Sequence, residues 1–256
     1  MSLQLEQFRF EVEDGIATVT MDRPPVNAHN QQTRREIIDV FDHLGDRDDV
    51  RVIILTATGK YFSAGADIKE RVGLVQEPGD YQRNNRLGRE SFFAIADCLK
   101  PVICAVNGPA LGAGVAIMFC SDIILTTDDT YIQMPEINVG LSGGQRFLIE
   151  HLGRSMARRM YLTAARVSAQ ELQRIRVIED CVPREELMTK AREIAAEIAS
   201  KDPQAVQLTK RAFNAVEHMS MKDGYRFEQN ITVDLSRTDY AKNAQRAFAE
   251  RKRDAK

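Results

Sequence analysis

Several features that would assign a chain to a class at once are missing from this one. Its 256 residues contain no run of ~18 or more consecutive apolar residues, so no segment reads as a transmembrane helix. The opening "MSLQLEQFRFEVED" has polar residues where a secretory signal needs its apolar region, and a cytoplasmic location is the expectation. Charge of one sign is not in excess: 35 Lys+Arg stand against 37 Asp+Glu, a net charge of -2. A main partner such as nucleic acid or an anionic membrane calls for a broad basic field, so neither is expected and any anion site must be local. Cysteine is scarce, and Cys98, Cys104, Cys120 and Cys181 show no C-x-x-C spacing. With three of the four in apolar surroundings, reduced packed thiols are expected rather than a disulfide framework or a metal site.

What is present is enough apolar material, 43% of the residues, to build a sizeable core. "FRFEVEDGIATVTMDRP" (8–24) alternates apolar and polar residues on both sides of Asp14-Gly15, a two-residue hairpin signal. "NQQTRREIIDVFDHLGDRDDV" (30–50) places Ile37, Ile38, Phe41 and Leu44 at helical spacing, with Gly45 available as a cap. "RVIILTAT" (51–58), "KPVICAVNG" (100–108) and "SDIILTTDD" (121–129) are apolar, β-rich runs alternating with helical segments, which predicts an α/β fold with parallel strands covered by helices. Beyond about Glu150 strands become scarce and helical periodicity dominates. The "SAQE" at 168–171 predicts a capping box, and Asp202-Pro203 a capped helix start. These changes divide the chain into a mixed core, 1–196, and a helical C-terminal region, 197–256.

Two segments share a design: "YFSAGADIKE" (61–70) and "VNGPALGAGVA" (106–116) each bring a strand to a turn of small residues and then open a helix. The first turn of a helix leaves backbone N–H groups unpaired, and residues this small let another oxygen approach them. Side by side, two such turns would form an oxyanion hole. A third piece is Glu136 in "MPEINVG", an acid about twenty residues after the second turn with a strand between, able to return to the same end of a sheet.

The order "RPPVNA", "SAGADIKE", "KPVICAVNGPALGAG", "SDIILTTDD", "MPEINVGL" and a terminal "AFAERKR" resembles the crotonase superfamily, the enoyl-CoA hydratase/isomerase fold, over essentially the whole chain. The resemblance implies a spiral of ββα units, a helical C-terminal trimerisation region and a CoA thioester as substrate. A homotrimer or a dimer of trimers follows from it, as does the absence of any metal or redox cofactor, coenzyme A being part of the substrate. It implies that the thioester oxygen rests on the N–H groups of Ala66 and Ala113, with Glu136 as acid/base. Ala64, Asp67 and Ile68 match the turn that the family uses around CoA, and Val26, Asn27 and Ala28 match the opposite wall. Phe248 and Arg251 fall where family members present an aromatic and a basic residue to CoA, often from a neighbouring subunit.

Three departures stand out. Hydratases of the family carry a second glutamate near the start of the helix after the Gly-rich turn, and here that position is Ala116. One carboxylate suits moving a double bond through an enolate better than adding water. The segment "INVGLSGGQRFL" (137–148) is about four residues shorter than the loop usual in hydratases. With "PPVNA" and "YRFEQNITVDL" (225–235) it looks more like branches that handle bulky or cyclic acyl-CoAs, among them hydrolases that open a ring beside a carbonyl. Arg176 stands where a glycine commonly ends a helix, which predicts a different ending there. Asp67, Glu70, Glu90, Asp97 and His29 are the other groups in reach of consideration as acids or bases, the first two reading as helix caps. An enoyl-CoA isomerase or hydratase is the leading expectation. A hydrolase or C–C-cleaving enzyme and a non-catalytic CoA-binding protein are the alternatives.

Overall fold

At Asp14-Gly15 both residues take positive φ, 51° and 78°, and turn β1 (Phe8–Glu13) into the antiparallel β2 (Ile16–Met21). This is the hairpin expected from the dipeptide. The computed structural model describes residues 3–74 and 76–254, the last four as backbone only. Asn30 caps α1 (Gln31–Gly45) reciprocally: its side chain accepts from Thr33 N–H, and the Thr33 hydroxyl accepts from Asn30 N–H. Gly45 is the last helical residue rather than the cap, which is Asp46.

The chain continues through β3 (Val52–Ala57), α2 (Ile68–Leu74), α3 (Asp80–Ala96), β4 (Val102–Val106), β5 (Ala110–Leu111) and α4 (Ala113–Phe119). Then come β6 (Ile123–Thr127), β7 (Tyr131–Gln133), a single 3-10 turn (Glu136–Val139) and α5 (Gln145–Thr163), which is interrupted at Gly153. After β8 (Val167–Ser168), α6 (Ala169–Arg174), β9 (Asp180–Val182) and α7 (Leu187–Ala199), three helices close the chain: α8 (Pro203–Val216), α9 (Met221–Ser236) and α10 (Asp239–Asp254).

Six strands form one sheet in the order β1-β2-β3-β4-β6-β9, parallel except at the first pair. Period-two alternation splits its apolar runs between two faces. Ile53, Leu55, Val102, Cys104 and Val106 join the core beneath α1, with Ile37, Val40 and Phe41. Val52, Ile54, Ile103, Ala105 and Leu125 face α7, which presents Leu187, Ala191 and Ala195 at i, i+4 and i+8. Both faces are buried, which is why these strands read as unbroken hydrophobic runs.

A smaller sheet, β5-β7-β8, is extended by single bridges, His29 to Ala66 and Ser63 to Ala110. Successive passes of the chain thus leave a strand in the large sheet and a short strand or bridge in the small one, the expected spiral of ββα units. Strands persist past Glu150 as β8 and β9, the latter completing the large sheet. The 196/197 division falls inside the last turn of α7, whose helix runs to Ala199. Arg176 corrects the expectation made for it: its φ is 64°, with Val177 N–H bonded to Leu172 C=O, so α6 is followed by a left-handed residue despite the side chain. At Ser168 only half of the predicted box forms, because Glu171 turns to Arg174 instead of the Ser168 amide. Asp202 caps α8 as expected.

Candidate active site

Ala66 owes its free amide to the way the chain pairs around it. His29 N–H donates to Gly65 C=O at 2.7 Å and Asp67 N–H donates to His29 C=O at 3.0 Å. In such a parallel bridge the N–H of the central residue faces the other way, and among the described residues Ala66 N–H has no protein acceptor. Ala113, the first residue of α4, has none either, as the first amides of a helix cannot bond within it.

Glycine is what lets these two amides approach one another. A Cβ on Gly65 would lie 2.8 Å from Leu111 O and 3.4 Å from Ala113 N, so the two turns are pressed backbone against backbone. Gly112, which precedes Ala113, takes φ 51° and ψ -115°, a conformation closed to L residues. Each donor is also backed through its own peptide unit. Gly65 C=O accepts from His29, and Gly112 C=O accepts from Val115 and Ala116 at 3.0 and 3.2 Å. Hydrogen bonds to the carbonyl end of a peptide polarise its N–H end.

Glu136 arrives on the third turn. Gly112 N–H donates to Gln133 C=O at 2.9 Å, so β7 delivers Pro135 and Glu136 beside the second amide. Glu136 Oε1 lies against Gly112 so closely that a Cβ there would overlap it. Oε2 is buried with no hydrogen-bond partner among the described residues. Burial raises the Glu136 carboxyl above its ordinary value, a hydrogen bond to its own amide opposing only in part. A half-buried carboxyl with no cation, next to two free amides, has the form of a general acid/base beside an oxyanion site. Ala116 is 4% exposed and brings only a methyl group to α4.

The other expected residues are less uniform. Ala64 N–H bonds to Val26 C=O, and Arg23 bonds to Ala28 C=O, so segments 26–28 and 64–67 form adjacent walls. Asn27, 2% exposed, has its side chain occupied by Arg23 N–H and by the carbonyls of Thr58 and Tyr61, so it shapes the wall from inside. Asp67 caps α2 through the amides of Lys69 and Glu70 and pairs with Arg23 at 2.7 Å. Burial opposes its ionisation, but Arg23 and those amides outweigh burial and hold its carboxyl below the usual value. Ile68 is 40% exposed on the first turn of α2. Phe248 is exposed on α10, and the side chain of Arg251 lies outside the described residues.

None of the remaining acids takes the place left by Ala116. Glu70 caps the start of α1 through Gln31 N–H, Glu90 is exposed and paired with Arg89, and Asp97 is exposed at the end of α3. His29 is buried behind the first turn, hydrogen-bonded to Ser63. The sequence offers His29 as a candidate acid or base and Ser63 as one small residue of the turn, and nothing in it shows that the two meet. Among the described residues no group of three or more His, Cys, Asp or Glu could hold a metal ion, and no helix is long and apolar enough to cross a membrane.

The family described as Enoyl-CoA hydratase/isomerase matches residues 11–255. A (7aS)-7a-methyl-1,5-dioxo-2,3,5,6,7,7a-hexahydro-1H-indene-carboxyl-CoA hydrolase from Rhodococcus jostii is 39% identical over 223 residues, covering 87% of this chain and 86% of its own. A short-chain-enoyl-CoA hydratase from Clostridium acetobutylicum is 34% identical, covering 98% and 97%. Among solved structures, the enoyl-CoA hydratase from Bacillus anthracis superposes with a TM-score of 0.89 at 26% identity, covering 96% of this chain and 97% of that one. Sequence, spiral and relatives lead to one conclusion: the chain belongs to the enoyl-CoA hydratase/isomerase, or crotonase, family and is an acyl-CoA-processing enzyme.

Proposed function

We propose that the protein converts its acyl-CoA thioester through an enolate, with Ala66 and Ala113 N–H groups holding the thioester oxygen and Glu136 as the lone acid/base. The observation that carries this reading is the placement of a half-buried Glu136 carboxyl, its Oε2 without a partner among the described residues, against Gly112 and beside the two amides without acceptors. Polarising the carbonyl acidifies the α C–H. Glu136 takes that proton, the negative charge moves onto oxygen between the two amides, and the proton returns to a different carbon. A double-bond shift needs nothing more, which makes isomerisation the reaction that one carboxylate runs unaided.

A second reading is favoured by the hydrolases of a bicyclic dioxo acyl-CoA among the relatives, at 39% and 33% identity. Here Glu136 deprotonates water, and hydroxide adds to a ring ketone β to the thioester. The bond between that carbon and the α carbon breaks, its electron pair becoming the same enolate. Glu136 then returns the proton to the α carbon. Substrate plus one water gives a single ring-opened thioester that carries the new carboxylic acid. The short segment after Glu136, with Ile137 and Val139 exposed, supports a roomy acyl end for either reaction. Contact of Phe248 and Arg251 with CoA from a neighbouring subunit, in a homotrimer or dimer of trimers, completes the proposal.

Mass spectrometry after incubation in D₂O with 2-enoyl, 3-enoyl, cyclic enoyl and cyclic β-keto CoA thioesters separates the readings. Isomerisation is expected to put deuterium into an acyl chain otherwise unchanged, ring opening to add one water to the cyclic β-keto thioester, and hydration to add one water to an enoyl thioester. Binding without any change of mass across the panel would contradict both readings.

A further inference from the structure

Behind the two amides lies a buried polar cluster that the reaction proposed above does not consume. His29 is 1% exposed, and its backbone makes both bonds of the bridge that turns Ala66 N–H outward. Its Nε2 lies 3.0 Å from Ser63 Oγ. The Ser63 hydroxyl is also 2.7 Å from Asn27 C=O, which can only accept, so the hydroxyl proton lies there. Ser63 Oγ accepts from Gly65 N–H at 3.1 Å. The remaining contact therefore requires a proton on His29 Nε2, which fixes the neutral tautomer and leaves Nδ1 a bare lone pair, buried without a partner among the described residues. A second proton would enter a dry space beside Arg34 and Arg23. Burial first and those two cations next push the imidazole down to about 3, so it stays neutral near pH 7.

Ser63 also reaches the second turn. A Cβ on Gly114 would lie 2.8 Å from Ser63 Cβ and 3.2 Å from its Oγ, so the residue after Ala113 rests on this side chain. One side chain thus accepts from the amide before Ala66 and fills the space that a side chain on the residue after Ala113 would need, and one imidazole holds its hydroxyl.

We infer that His29 is a positioning residue for the oxyanion site: by donating from Nε2 to Ser63 Oγ, it holds the hydroxyl that anchors Gly65 N–H, and through Gly65 it sets the Gly65–Ala66 peptide in register with the Gly112–Ala113 peptide. The role rests on the assignment of Ala66 and Ala113 given above. It does not touch substrate. Its effect is preorganisation, because donors stabilise a developing oxyanion only where they already point, and small misplacements lower the rate steeply.

The test uses 4-(dimethylamino)cinnamoyl-CoA, an unsaturated thioester whose absorption moves to longer wavelength as its carbonyl is polarised. The wild-type protein is expected to shift it on binding. His29→Leu, similar in bulk but without the donor, is expected to lose most of that shift, and on the thioester that the mass panel identifies to lose about 10–100-fold in kcat with KM little changed. His29→Gln, whose amide reaches as far as Nε2, is expected to recover most of both, which general damage to packing would not allow. Ser63→Ala removes the same anchor from the other side and serves if His29→Leu does not fold. A full wild-type shift in either variant, or a loss that His29→Gln fails to recover, overturns the inference. No shift with the wild-type protein overturns the oxyanion assignment itself, and the inference with it.

Discussion

Burying a carboxyl with no cation beside it disfavours the charged form, and Glu136 is such a group. Its raised pKa has two consequences of opposite sign for the cell of chemistry around it. As a base it must be ionised, so kcat/KM is expected to fall with decreasing pH along a limb centred above the ordinary 4.5 of a glutamate. For stability the folded state holds the proton more tightly than the unfolded chain. The contribution is therefore full below the unfolded value and is lost as pH rises through the raised one. At neutral pH Glu136→Gln is thus expected to raise the melting temperature while lowering turnover by about 10²–10⁴-fold. Thermal melts of both proteins at pH 4 and pH 7.5 check this: the gain belongs to the higher pH, and an equal or lower melting temperature for the variant there would contradict the burial argument.

Elements whose signals are local were legible in the sequence. Asp14-Gly15 needed only its own backbone to turn, and Asp202 only the amide of Ala205 to cap α8. Elements that end against distant partners were not. Glu36 sits inside α1 but accepts the amides of Glu6, Gln7 and Phe8, and nothing nearby in sequence announces that. Lys210 is similar: it lies on α8, and its Nζ reaches Asp122 at 2.7 Å and Lys100 C=O at 3.1 Å. Asp122 in turn accepts from Val102 N–H, so one ion pair joins α8 to the starts of β4 and β6. The lysine is buried and its partner partly so, which places the pair between surface and interior cases. Lys210→Met is expected to lower unfolding stability by about 2–3 kcal/mol, read from the denaturation midpoint, because it leaves Asp122 half-buried without its cation. A change within experimental error would show that α8 is held by its apolar contacts alone.

For the whole molecule, the site is assembled from turns that lie far apart in the chain: 26–29, 63–67, 112–113 and 136. Motif order identified these segments, since small residues before a helix and an acid after Pro135 can be read one segment at a time. Their closure could not be read that way. It depends on Gly65 meeting Leu111, on Gly112 meeting Gln133 and Glu136, and on His29 reaching Ser63 across thirty-four positions. A cavity of about 1100 Å³ lies away from Glu136, lined by Phe93, Phe119, His151, Val206 and Phe213. Phe93 and Phe213 in its lining are exposed. The central claim is that Glu136 moves a proton at the carbon beside the thioester. It is tested most directly by following deuterium uptake into the acyl chain in D₂O, with wild-type protein and Glu136→Gln compared on the same thioester. The account predicts uptake by the wild-type protein and a rate about 10²–10⁴-fold lower in the variant; equal rates in the two proteins would contradict it.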